Sequence, residues 1–288
     1  MIRTTVIAAT LAIAFTTSQA AEPLTVKIYN ADSNSFNVNS TLVFGEKEAM
    51  VIDAGFTRAD ALRIAANVLD SGKQLTTIYV SQADPDYYFG VEALKEIFPQ
   101  ADVVTTSAVL EKLAPKMAGK VGFWGPKMGA NAPRKPVAPR ALSGNTLTLE
   151  GQTIEIRGTQ GLLAHRPYAW IPSIKAIVGN IGVFGNMHVW TADTQTVAER
   201  AAWVAQLDDM AALKPALVIP GHMQAGTKVD ASAITFTKDY LQNFEKNLAA
   251  SKDGAGLISA MKQSYPQLTD GAMSLDIGAK VNKGEMKW

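Results

Sequence analysis

The chain contains no cysteine, which excludes disulfides, thiolate metal ligands and a thiol nucleophile, and with them a Cys-based zinc site and a Cys-His protease. Excess charge is missing as well: 27 Lys+Arg against 26 Asp+Glu leave a net charge of +1 over 288 residues. That balance gives no electrostatic reason to bind nucleic acid or an anionic membrane, since both rely on dense Lys/Arg surfaces. The Gly-x-Ser-x-Gly, Gly-x-Gly-x-x-Gly and phosphate-loop patterns are also absent, so serine-hydrolase and nucleotide-binding chemistry lack a motif. With 47% hydrophobic and 18% charged residues, the composition excludes a disordered chain, and the length is ample for a sizeable core.

What is present begins with Arg3, an uncharged and mostly apolar run from Val6 to Phe15, and Ser18-Gln19-Ala20. These are the three regions of a secretory signal peptide, so residues 1–20 are expected to be cleaved and residues 21–288 to form one domain. The apolar run is 10 residues long, short of the roughly 20 that span a bilayer. No second run of 18 or more apolar residues follows, so the mature protein is expected to be soluble, periplasmic or secreted, with no membrane partner after cleavage. Loss of Arg3 leaves the two signs of charge equal.

Short β-prone runs at Leu24–Tyr29, Ser40–Phe44 and Ala49–Ile52 predict three strands, the last two a hairpin over Gly45-Glu46-Lys47. Thr57 with Asp60 three residues on opens a helix that Gly72 closes. A strand at Thr77–Val80, a turn at Asp84-Pro85-Asp86, a helix over Phe89–Phe98, a strand at Asp102–Thr105 and a helix over Ser107–Leu113 give the alternation of layered α/β folds. Pro115–Pro139, rich in Gly, Pro and Lys/Arg, reads as a long surface loop. Strands follow around Thr146–Leu149, Thr153–Gly158, Ala169–Ile171 and Ala176–Val178. Gly179–Thr194 reads as a loop, Thr196–Leu213 as a helix and Ala216–Ile219 as a strand. Helices over Ala231–Ala250 and Gly254–Ser264 come next, and Leu268–Trp288 is weakly patterned. Two strand-rich halves, each closed by helices, predict an αββα sandwich.

Polar residues crowd the segment after the strand Thr77–Val80, Ser81-Gln82-Ala83-Asp84-Pro85-Asp86-Tyr87-Tyr88-Phe89-Gly90. Strand ends that feed helix starts are where α/β folds place ligands. Asp84 and Asp86 are spaced either to bind a cation together or to share a proton; alternatively, one caps the following helix and the other is solvated.

This segment resembles the histidine-rich metal motif of the metallo-β-lactamase fold superfamily, Thr-His-x-His-x-Asp-His, with its histidines replaced. Ser81 stands at the Thr, Gln82 and Asp84 at the first two His, Asp86 keeps the Asp, and Tyr87 replaces the third His. Val51-Ile52-Asp53-Ala54-Gly55, Trp170-Ile171-Pro172, Ile177-Val178-Gly179-Asn180 and Ile219-Pro220-Gly221-His222 resemble four further family segments, in order, over residues 40–225. The resemblance implies the metallo-β-lactamase αββα sandwich. In the family two metal ions, usually zinc, hold a hydroxide that attacks substrate. Here Asn180 stands at the bridging Asp, and Thr159-Gln160-Gly161 occupies the stretch of the intermediate His ligand, with His165 a candidate if the loop re-registers. The resemblance therefore implies at most one divalent ion (Zn, Mn, Mg or Ca) on Gln82, Asp84, Asp86 and His222, not a two-zinc centre. His222 has a second reading, as the cap of a turn.

Asp86, Tyr87 and Asn180 are then the candidate catalytic residues, with Tyr87 or Asn180 donating to an oxyanion, and Asp53 is expected to hydrogen-bond and orient the motif loop. His188, Trp190 and Asp193 follow the Asn180 strand, where the family has a loop at the active-site mouth, and are candidates for substrate contact; Trp124, with Phe123, is a candidate for the opposite wall. In the other reading Asp193 caps the next helix and Trp190 packs onto the sheet. Two functions remain open for a small-molecule ligand or substrate: a hydrolase cleaving an ester, lactone or amide, or a catalytically silent relative that binds a ligand or partner in the same cleft.

Overall fold

The chain is represented by a computed structural model that describes residues 22–288; the expected signal segment, residues 1–20, lies outside the described residues. Strand β1 (Thr25–Asn30) pairs antiparallel with β2 (Asn39–Phe44), which turns through Gly45-Glu46-Lys47 into β3 (Glu48–Ile52). The turn is pinned from a distance, because the Glu150 carboxylate accepts the backbone N–H of Glu46, Lys47 and Glu48 at 2.8, 2.5 and 2.6 Å. Helix α1 (Arg58–Ser71) starts on a reciprocal cap between Thr57 and Asp60 and ends at Gly72, whose φ of 66° suits glycine.

Strand β4 (Gln74–Tyr79), the short helix α2 (Pro85–Tyr88), α3 (Val91–Ile97), β5 (Asp102–Thr105), α4 (Ser107–Leu113), α5 (Met117–Met128) and β6 (Arg140–Ala141) complete a six-stranded sheet in the order β1-β2-β3-β4-β5-β6. It is antiparallel from β1 to β3 and parallel from β3 to β6.

The second half opens with β7 (Thr146–Leu149), β8 (Gln152–Arg157), β9 (Tyr168–Ile171) and β10 (Ala176–Val178). Then come β11 (Phe184–Gly185), α6 (Val197–Ala212), β12 (Leu217–Val218) and β13 (His222–Met223). Helices α7 (Ser232–Ala250), α8 (Gly254–Ser264) and α9 (Ala272–Asn282) follow. Its sheet runs β12-β10-β9-β8-β7, and β11 pairs parallel with β13 as a separate ribbon.

The period of two along the strands distributes the core. Leu42, Ala49 and Val51 point to α1 and α3, while Val43, Met50 and Ile52 point to Ile154, Ile156, Ala169 and Ile171 of the other sheet. With both faces covered, Ala49–Ile52 is a continuous buried apolar run. The outer face of the second sheet is closed by α6 to α9 around Trp203, Leu207, Tyr240, Phe244, Leu257 and Leu275. The layers are therefore helix, sheet, sheet, helix, as the alternation along the chain predicts.

Three segments differ from their sequence reading. The Gly/Pro-rich stretch is not a loop throughout, since Met117–Met128 is helical although it contains Gly119, Gly122, Gly125 and Pro126 and buries no side chain. Tertiary contact overrides propensity there: Trp124 packs edge-on against Phe36 and Phe56, with ring centroids 5.6 and 5.2 Å away. The segment after Asn180 is not an open loop either, because Val183, Phe184, Met187 and Val189 are buried in the second core without regular spacing. The weakly patterned tail contains α9, which buries Leu275, Ala279 and Val281.

Candidate functional site

The ends of β3, β4 and β10 and the ribbon strand β13 converge on one polar cluster. After β3, Asp53 adopts a left-handed φ of 66°, uncommon for a non-glycine residue. Its two carboxylate oxygens accept the backbone N–H and the hydroxyl of Ser81, both at 2.7 Å. Burial pushes the Asp53 carboxyl up to about 8, against the lowering effect of these bonds. Gln82, also buried, donates its amide to the Pro167 carbonyl at 2.9 Å.

Asp86, Tyr87, Asn180 and His222 form the centre. The Tyr87 hydroxyl lies 3.1 Å from His222 Nε2 and 3.2 Å from the Asn180 carbonyl oxygen. His222 Nδ1 lies 2.9 Å from the Phe36 carbonyl oxygen. A carbonyl only accepts, so Nδ1 carries the proton and Nε2 is an acceptor that shares the single Tyr87 hydroxyl proton with the Asn180 carbonyl. Burial holds this imidazole down to about 4, with the charge of Arg166 in the same direction and the Phe36 bond opposing; it is neutral at pH 7.

Asp86 Oδ2 stands 3.5 Å from the same Nε2, but burial, and then the charge of Asp84, push its carboxyl well above the carboxylate range. The contact is therefore no ordinary ion pair, because His222 is neutral and burial disfavours the charged form of Asp86. The Asn180 side chain is engaged at both ends: Nδ2 donates to the Ile219 carbonyl at 2.9 Å and Oδ1 accepts the Val183 N–H at 2.9 Å. Gly221 makes the packing possible, since a Cβ there would stand 2.0 Å from the Asn180 oxygen and 2.6 Å from the Tyr87 hydroxyl.

Asp84 precedes α2 without capping it by a side-chain bond. Its carboxylate pairs with Lys120 of α5 at 3.6 Å, with the two side chains 35% and 29% exposed. Burial first, then the charge of Asp193, raise the Asp84 carboxyl; Lys120 and Arg166 oppose them.

The mouth residues divide. Trp190 donates to Asp193 at 2.5 Å, Trp288 donates to the other oxygen of Asp193 at 2.8 Å, and the two indoles meet edge-on at 4.9 Å. His188 lies away from them, 2% exposed, with Nδ1 3.0 Å from the Tyr240 hydroxyl of α7. His165 is half-buried, and burial together with Arg166 and Lys112 holds it down to about 4. The structure thus joins Asp86, Tyr87, Asn180 and His222, sets Asp53 and Gln82 behind the loop that carries them, sets Asp84 beside Lys120 and Asp193, and leaves His188 in the second core.

Known proteins share this fold. A sequence profile described as the metallo-beta-lactamase superfamily matches residues 34–167. The fold is similar to a beta-lactamase domain protein from Burkholderia ambifaria, 13% identical with TM-score 0.61 over 92% of this chain and 85% of that one. It is also similar to a metallo-beta-lactamase family protein from Thermus thermophilus, 15% identical with TM-score 0.60 over 91% and 92%, and to a metallo-beta-lactamase from Pontibacter korlensis, 16% identical with TM-score 0.53 over 78% and 98%. The chain has the metallo-β-lactamase fold. No curated protein matches it by sequence.

In this metallo-β-lactamase fold the residues present do not fit the metals that the family implies. Among the described residues no group of three or more His, Cys, Asp and Glu side chains is placed to hold a metal ion; Asp84, Asp86 and His222 do not form one. The His222 nitrogen that would face a metal faces the Tyr87 hydroxyl instead, the Asn180 amide is engaged within the protein, and burial disfavours the charged form of Asp86. A cation also stands nearby. Arg166 is buried, its guanidinium lies over the Trp203 ring at 4.7 Å, and its charge acts on Asp84, Tyr87 and His222. Sequence reasoning passed over Arg166, Lys120 and Phe36; the available signal was one arginine between the apolar stretches Leu162–Ala164 and Tyr168–Ile171.

Proposed function

We propose that this metallo-β-lactamase-fold protein is exported and works without a metal ion, using the cleft of the fold to bind a ligand and not to hydrolyse an ester, lactone or amide at a metal-activated water. The observation that carries this reading is the Tyr87–His222–Phe36 chain, with bonds of 3.1 and 2.9 Å that use both ring nitrogens of the one histidine at a family ligand position. Metal ligation needs an imidazole nitrogen with a free lone pair, and the harder ions need several ionised oxygens. The engaged Asn180 amide adds to the argument, since it supplies no negative charge to offset a dication. Export rests on the sequence of residues 3–20.

The test is elemental analysis of the mature protein, purified without chelator or histidine tag, with melting curves in Zn, Mn, Mg and Ca. The expected result is no stoichiometric metal and no upward shift of the melting temperature. Stoichiometric metal that disappears in His222→Ala overturns the reading and restores the hydrolase. Export is checked by sequencing the N-terminus of protein recovered from the periplasm, which is expected to begin at Ala21.

A further inference from the structure

The residues that follow β5 and β8, together with the connection from β6 to β7, enclose a cavity of about 340 Å³, at the low end of the roughly 300–1,000 Å³ of small-molecule sites. It lies one strand along from the polar cluster: the Thr105 hydroxyl at the end of β5 donates to the carbonyl of Val80 at 2.6 Å, and Val80 precedes the Ser81 that bonds Asp53. Thr106, 4% exposed, gives the cavity its floor and caps α4 by accepting the Val109 N–H at 3.3 Å. The walls are fixed to one another and to both sheets. Asn145 Nδ2 donates to Thr159 Oγ1 at 2.9 Å, the Asn145 carbonyl accepts the Ile156 N–H at 2.8 Å, and the Leu142 N–H donates to the Thr105 carbonyl at 2.8 Å.

The lining decides what fits. It carries hydroxyls on Thr106, Ser107, Ser143 and Thr159, amides on Asn145 and Gln160, and one carboxylate, that of Glu111. No lysine, arginine or aromatic residue lines it, so neither an anion nor a flat apolar ring finds a partner there. Hydroxyls and amides both donate and accept hydrogen bonds, which matches a ligand that is itself covered with hydroxyls. Ser107, Glu111, Ser143 and Gln160 are exposed, so such a ligand reaches them without any part of the fold opening.

We propose that this cavity binds a small polyol bearing one ammonium group, an amino sugar by chemical class. Glu111 faces the ammonium, and the hydroxyls and amides of the two walls exchange hydrogen bonds with the ring hydroxyls. A single carboxylate in a lining without cations sets the sign of charge that the cavity favours. Affinity is expected on the order of 1–10 mM, since no aromatic face covers the C–H side of the ring. The site stands apart from Tyr87, Asn180 and His222, so it goes beyond the metal-free reading and does not depend on it.

The experiment is nitrogen–proton NMR titration of the full mature chain with glucosamine at about pH 6, where its amine is protonated, alongside glucose and glucuronate, which keep the ring and make it neutral or anionic. Glucosamine is expected to shift the side-chain amide signals of Asn145 and Gln160 saturably, glucose to bind several-fold more weakly, and glucuronate not to saturate. Ser143→Tyr places a ring in the cavity and is expected to abolish the response to both sugars. Glu111→Gln is expected to bring glucosamine down to the affinity of glucose, a change of only several-fold because the carboxylate is exposed. Both substitutions fall on exposed side chains, so the variants are expected to keep the wild-type spectral dispersion. The site is overturned by absence of saturable shifts with glucosamine, by glucuronate binding as tightly as glucosamine, by an unchanged response in Ser143→Tyr, or by equal glucosamine affinity in wild type and Glu111→Gln.

Discussion

Two neighbouring regions of the cleft differ in how their polar groups are satisfied. Around Tyr87, Asn180 and His222 the side-chain polar atoms meet within the protein, and Tyr87 and His222 are neutral at pH 7. Around Asp84, Lys120 and Arg166 there is a 3.6 Å ion pair and a buried guanidinium whose Nη2 has no partner among the described residues. A satisfied buried network fixes a single geometry, while an open buried donor marks a place where a partner is missing. On the proposed metal-free reading, the first region serves as scaffold at the position that matches the family's metal site.

The sharpest way to break this contrast is at Gly221. Gly221→Ala drives a Cβ into the Asn180 carbonyl at 2.0 Å, and that contact is backbone with little room to yield. A loss of about 3 kcal/mol is expected from overpacking, measured by urea unfolding. A loss under about 0.5 kcal/mol, the range of inconsequential surface changes, would mean that the centre is loose and not a fixed scaffold.

Tyr87→Phe is milder. It leaves His222 Nε2 buried without its 3.1 Å partner, for an expected cost of about 2 kcal/mol. The same variant sharpens the comparison, because it frees the imidazole lone pair. Zinc is still expected not to bind, since Asn180 remains at the bridging position and no group of three ligands is placed around it among the described residues; zinc uptake in Tyr87→Phe would show that the phenol alone bars the metal.

The smallest effect expected is in pH dependence. The folded-state pKa of Asp53 is raised to about 8 from 3.8, so the folded state binds more protons than the unfolded one between those values. Its contribution to stability is present below 3.8 and is lost as pH rises through 8. His222 runs the other way, lowered to about 4 from 6.5; its contribution is present above 6.5 and lost as pH falls through 4. From pH 6.5 to 8 the carboxyl alone of these two groups is active, so the melting temperature is expected to fall over that interval and to fall less in Asp53→Asn. An equal slope in wild type and Asp53→Asn would mean that Asp53 is ionised in the folded protein.

The sequence by itself determined the layers. Strands with apolar residues on both faces, a Thr57–Asp60 cap and a Gly72 stop are local signals, and local signals fix which elements form. The substitutions at Gln82, Asp84, Tyr87 and Asn180 were legible in the same way, as residue types out of place in a motif. Other features depended on contacts between residues far apart in the chain. α5 is helical because Trp124 finds Phe36 and Phe56, not because its glycines favour it. His188 lies in the core because Tyr240 of α7 receives it. His222 lacks a free nitrogen because Phe36 and Tyr87, 186 and 135 residues away, reach its two sides. Hydrogen-bond partners and charge burial are set by which surfaces the sandwich brings together, and no local pattern encodes them, so Arg166 was one arginine in an apolar stretch until the fold enclosed it.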